Sequence, residues 1–208
     1  MRILLLVVWM LIPVGALAYH LGPGQDHMKL DEASQLLHEA DYTAANAIVD
    51  PEQSSANELW TDADATYSEA LEMLPSDTTD TQYRVRLERA KAQMQAKQLP
   101  EAHQDLLRLV DDLEAADEVD AALLEDARGT LASAKYYMTW LMRLEGLDRE
   151  AWQDDIESSQ QNYRLLASNA LDAGDSLAYT SYIEDLESAV RLQRMDLGEL
   201  QGLPLPNQ

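Results

Sequence analysis

The chain has 208 residues, and its 15 lysines and arginines against 38 aspartates and glutamates leave a formal charge of -23. Such a charge repels phosphate backbones and anionic lipid, so nucleic acid is not an expected partner. Cysteine is absent, which excludes a disulfide framework and a lipid-bearing N-terminal cysteine, and leaves stability to packing. Only eight glycines and seven prolines interrupt a sequence rich in alanine, leucine and acidic residues, and this predicts an all-α protein of one domain or a short repeat array.

Arg2 precedes an apolar run from Ile3 to Tyr19, and Ala16-Leu17-Ala18 has the small-x-small form that precedes a signal-peptidase cut. Residues 1–18 therefore read as an export signal, either cleaved or retained as a membrane anchor. The run falls short of the roughly 20 apolar residues that span a bilayer, which favours cleavage after Ala18. In both cases the rest of the chain is expected to be exported, periplasmic or otherwise extracytoplasmic. Membrane contact is then confined to residues 1–21, and only if the segment stays uncleaved. Residues 19–27, "YHLGPGQDH", read as a flexible link.

Helical periodicity runs through the body, residues 28–197. A first helix is expected over 28–40 and a second over 42–49, stopped by Asp50-Pro51. A third, over 56–74, places Trp60, Ala63, Tyr67, Ala70, Leu71 and Leu74 on one stripe. A fourth, capped by Thr79 or Asp80, carries Tyr83, Leu87, Ala90 and Met94 on a narrow apolar face. Pro100 opens a fifth with Leu106, Leu107, Val110 and Leu113 as its stripe.

A sixth and longer helix, over 119–144, repeats Leu124, Ala127, Leu131, Ala134, Met138 and Leu141, and Gly146 suits a left-handed cap after it. A seventh, over 149–172, sets Trp152, Ile156, Ser159, Tyr163, Leu166 and Ala170 at alternating steps of four and three. Asp175 or Ser176 caps an eighth that runs to about Met195. Residues 198–208 read as a frayed, flexible tail.

Within the third helix, Ala63, Tyr67, Ala70 and the following Pro75 combine close-packing alanines, a gap-filling aromatic and a helix stop. Turn-like fragments recur as "EADYTAA" (39–45), "KQLPEA" (97–102), "EGLDREA" (145–151) and "DAGDSLAY" (172–179). Together these resemble divergent tetratricopeptide repeats. The resemblance implies antiparallel helix pairs stacked into an array whose concave groove binds a protein or peptide. Ala45, Ala102 and Ala151 lie 57 and 49 residues apart, however, whereas that family repeats about every 34. A helical bundle accounts for the same alanines.

His20, His27, His38 and His103 are scattered, without the spacing of a metal site. There is no GxSxG, no phosphate-binding glycine loop and no cysteine nucleophile, and "DDLEAADEVD" (111–120) lacks calcium-loop spacing. No catalytic residue, metal or cofactor is therefore assigned, and an enzyme is not expected. The basic residues Arg84, Arg86, Arg89, Lys91 and Lys97 are opposed locally only by Glu88. They either neutralise the acidic helix after Val110 or grip an acidic peptide. "YYMTWLMRL" (136–144) holds more large apolar side chains than one stripe can bury, so Tyr137 with Trp140, or Met138 with Met142, is left to face outward unless neighbouring helices cover both sides.

The expected function is a non-enzymatic interaction scaffold that binds a protein or peptide in a groove of helices three to six. Tyr67, Arg86, Arg89, Tyr137 and Trp140 are the expected contacts. The alternative is a self-associating structural component of the cell envelope built on the long helices after residue 119.

Overall fold

The computed structural model describes residues 23–49, 55–76 and 78–201. Within them the chain forms eight helices, α1 (Pro23–Val49), α2 (Ala56–Met73), α3 (Thr79–Gln95), α4 (Leu99–Ala115), α5 (Ala121–Leu144), α6 (Arg149–Ala173), α7 (Ser176–Arg194) and α8 (Leu197–Gln201). The all-α expectation is met, with no strand among the described residues. Helices α1 to α7 each pack on their neighbours in the chain, α3 also touches α5, and α8 packs on α5. That pattern is an array of packed helix pairs.

The first two helices differ from expectation. Where two helices and a turn at "EADYTAA" were expected, α1 is continuous through Val49 and starts at Pro23, taking in part of the stretch read as a link. No glycine or proline interrupts residues 25–49, and Thr43 turns its hydroxyl back onto the Glu39 carbonyl (2.8 Å) without breaking the helix. Ala33, Ala40 and Ala47 are fully buried at seven-residue intervals, and Ala56, Ala63 and Ala70 repeat that interval on α2. Alanine on both sides lets two helices approach closely. Tyr67 fills the space beside this seam, and its hydroxyl donates to Asp41 Oδ1 at 2.6 Å.

α3 is covered from two sides. Leu87 and Ala90 join α4 and α5, with Tyr83 and Met94 packed against them, as the narrow stripe predicts. Val85 and Ala92, outside that stripe, pack into the cluster of Ala40, Ala63 and Tyr67. A helix in the middle of an array buries two faces, which spreads its apolar residues around the axis.

The stripe expected on α6 is buried in full: Trp152, Ile156, Ser159, Tyr163, Leu166 and Ala170 all face the core. α4 buries Leu106, Val110 and Leu113 as expected and adds Leu109, while Leu107 is half-buried. α5 divides its apolar residues between two clusters, Leu123, Ala127, Leu131 and Ala134 facing α4, and Ala132 and Trp140 joining α6 and α7. Asp120 caps α5 by accepting from the Ala122 amide (2.9 Å), and Asp175 caps α7 by accepting from those of Leu177 and Ala178.

Part of the segment expected as a frayed tail is ordered into α8. Asp196 and Glu199 form a reciprocal capping box at 2.8 and 3.0 Å, and Leu200 is fully buried in the cluster of Trp140 and Trp152. Arg143 donates to the carbonyls of Leu192 and Met195 and lies over the Trp152 ring at 4.9 Å, tying α5 to the end of α7. No helix of the described residues is long and apolar enough to cross a membrane. The apolar run at 3–19 lies outside those residues.

Three of the four turn fragments are turns, and they close alike. Gly146 (φ 77°) and Gly174 (φ 75°) are left-handed, and the following amides of Leu147 and Asp175 reach back to Met142 and Ala170. After α3 the same closure falls on Lys97 (φ 62°), with the Gln98 amide on the Gln93 carbonyl at 2.9 Å. A residue with a Cβ is strained there. Lys97→Gly should therefore raise the unfolding free energy in urea by about 0.5–1 kcal/mol.

Candidate functional site

The α-helical repeat places Asp126, Gly129, Thr130, Ser133 and Tyr137 along one side of α5, away from its buried stripe. Lys91, Met94 and Gln95 of α3 stand on one flank of this row, and Tyr182 and Asp185 of α7 on the other. Tyr163 of α6 forms part of the lining. Four helices thus enclose a groove of about 380 Å³. A second depression of about 610 Å³ is lined only by α7, α8 and their connection.

Packing fixes the aromatic wall. Tyr163 is only 4% exposed, and its hydroxyl shares a hydrogen bond of 3.0 Å with Ser133 Oγ. Tyr137 is half-buried with its ring edge-on to Tyr136 at 5.3 Å. Burial raises the hydroxyl pKa values of Tyr137, Tyr163 and Tyr182, the Asp185 carboxylate adds to each, and the hydrogen bond with Ser133 only partly offsets the rise at Tyr163, so all three stay neutral. Gly129 lies in a helix interior where a Cβ would make only ordinary contact with Leu166, at 3.7 Å.

The charges on the two flanks differ in their surroundings. Lys91 donates to Asp126 (2.8 Å) and Glu88 (2.9 Å); burial opposes its charge, but those two bonds outweigh it and raise its pKa. Asp185 has no hydrogen bond or ion pair among the described residues, and burial, then Glu184, pushes its carboxyl up. No group of three or more acidic or histidine side chains among those residues is placed to hold a metal ion.

Of the five contacts expected from sequence, Tyr137 lines this groove and the others lie elsewhere. Tyr67 is buried in the α1–α3 cluster and bonded to Asp41. Trp140 is buried with Trp152 and Ile156. Arg86 donates to Asp112 (2.7 Å) and lies 5.8 Å from the Tyr83 ring centre, while Arg89 donates to Asp64 (2.9 Å) and sits 3.8 Å from Asp105. Arg84 pairs with Asp120. The cations of α3 thus answer acids on α2, α4 and α5, one of the two roles open to them from sequence. Met138 and Met142 both pack against core clusters. The residues missed were Gly129, Ser133, Tyr182 and Asp185, whose only signal was a polar row with helical spacing.

A second polar cluster is buried between α4, α5 and α6. Lys135, 8% exposed, donates to Ser158 Oγ at 2.7 Å, and burial lowers its pKa against the pull of Asp155 and Asp111. His103 Nε2 is buried without a hydrogen-bond partner, 3.7 Å from Asp155 Oδ1. Burial lowers the His103 pKa, Asp155 opposes this and Lys135 reinforces it. The fold therefore favours neutral imidazole. Its contribution is full above the unfolded value near 6.5 and is lost as pH falls through the lowered folded value. In urea titrations at pH 7.5 and 5.0, His103→Gln should lose less stability across that interval than the parent chain.

Comparison with protein-family models, with curated proteins and with solved structures finds no match.

Proposed function

We propose that this protein is a non-enzymatic interaction scaffold, a divergent tetratricopeptide-like array that holds a peptide segment of another protein in the groove of α3, α5 and α7. The observation that carries the reading is the convergence of three tyrosines, a bare glycine and unlike charges from four helices on one concavity. Packed helix pairs in sequence order support the repeat-like reading. The apolar run at 3–19 supports export, which puts the groove in an extracytoplasmic compartment.

Thr130 is the position from which to test it. Its side chain lines the groove, and its hydroxyl bonds only to its own helix and Asp126, so replacing it strands no buried donor. Thr130→Trp should reduce capture of the partner by about tenfold or more while the helical circular dichroism is unchanged. Capture equal to that of the parent chain would exclude the groove.

Self-association is the second reading, and α1 favours it. Among the described residues this helix packs chiefly on α2 and leaves Met28, Tyr42, Ile48 and Val49 exposed, the last by 83%. Under this reading sedimentation velocity shows mass rising with concentration, and Tyr42→Glu with Ile48→Glu abolishes the rise. A concentration-independent monomer removes it.

A further inference from the structure

The groove contains one charge that the fold leaves unanswered. Asp126 is neutralised by Lys91, but Asp185 is half-buried, unpaired among the described residues, and shares its cavity with Tyr137, Tyr163 and Tyr182. We infer that the groove selects a partner peptide through a lysine or arginine side chain, seated on Asp185 among these three tyrosines. The inference rests on the groove reading proposed above and adds the chemistry of what enters.

Acidic and apolar side chains each meet an obstacle there. An acidic residue would face Asp185 and Asp126, and Lys91, the one cation among the described residues that line the groove, already serves Asp126 and Glu88. An apolar residue would strip water from Asp185 without giving it a partner, at the cost of a desolvated charge. A cationic side chain gives the carboxylate its ion pair in a cavity lined by tyrosines, the residue type that with tryptophan best tolerates a neighbouring cation. The chain's charge of -23 also draws basic segments toward it over longer distances.

That long-range attraction must be separated from recognition at the site, and Asp185→Asn does so. It removes one of 38 acidic residues and scarcely alters the overall field. It also relieves an unpaired, half-buried carboxylate, so the variant should melt at or above the parent temperature, and lost binding is not lost folding.

The probe is a random-peptide phage library selected on the full chain at physiological salt, with enriched peptides then measured by fluorescence anisotropy. The expected peptides share a lysine or arginine whose replacement by norleucine or glutamine weakens binding by about tenfold or more. Against Asp185→Asn the parent peptides should bind correspondingly less well, and the norleucine change should matter little. If peptides are lost on Thr130→Trp but bind Asp185→Asn as tightly as the parent, the groove stands and its preference for a cation is overturned. If they bind Thr130→Trp unchanged, the groove reading fails as well. Failure to enrich any peptide overturns both, and spermidine binding that depends on Asp185 without peptide binding replaces the peptide by a free polyamine.

Discussion

The constraint behind much of this structure is the shortage of cations. With 38 carboxylates to 15 basic side chains, compact packing brings like charges together unless the few cations sit between helices. α3 does this: Arg86, Arg89 and Lys91 reach Asp112, Asp64 and Asp126 on three different helices, and Arg84 reaches Asp120 at the cap of α5. These pairs are partly exposed, so solvent screening leaves each with little weight of its own in stability. Their larger effect is to hold the register of α3 against α2, α4 and α5 while relieving repulsion. Because those cations are engaged inside the fold, the groove keeps an uncompensated carboxylate, and the sign of what it can attract follows.

Packing sets where the groove opens. α5 buries one side against α4 and another against α6, and its third side carries the row from Asp126 to Tyr137. Small residues serve both purposes. Ala127, Ala132 and Ala134 let neighbouring helices close in, while Gly129 and Ser133 leave room on the groove side. Gly129 is notable because glycine in a helix interior costs about 1 kcal/mol relative to alanine, and no steric clash demands it here. A destabilising residue with no packing reason, lining the same groove as an unpaired acid, marks a place where local stability has been given up.

The sequence was most legible where one helix face does all the packing. The six-residue stripe of α6 has a single period and could be read in full. Turns closed by Gly146 and Gly174 were legible because a left-handed residue has few chemical solutions. "EADYTAA" misled because its small and acidic residues belong to an alanine seam: Ala40 and Ala47 face α2, and Asp41 receives Tyr67, so tertiary contacts carried the helix through a turn-like composition. The second face of α3 was invisible because two stripes superposed have no clear period. Of the site, Tyr137 could be found from the excess of large residues at 136–144. Asp185 could not, since one acid among 38 has no distinguishing sequence signal until its neighbours are known.

Arrays whose helices touch mainly their chain neighbours have stability that is nearly a sum of local terms, so one end can open without the other. Here the three apolar clusters follow one another along the chain: α1 to α3, α3 to α5, then α5 to α8. The groove is an exception to this locality, because its flanks come from α3 and α7, which belong to different clusters. A ligand touching both flanks binds only when the second and third clusters are formed and aligned, and so by linkage it stabilises their alignment. In the free protein α5 is the one helix common to both apolar clusters, and the contact of His103 on α4 with Asp155 on α6 is a further tie between them. Substitutions in the two buried faces of α5 should then affect ligand affinity through geometry even where they touch nothing in the groove, and those in α1 or α2 should not.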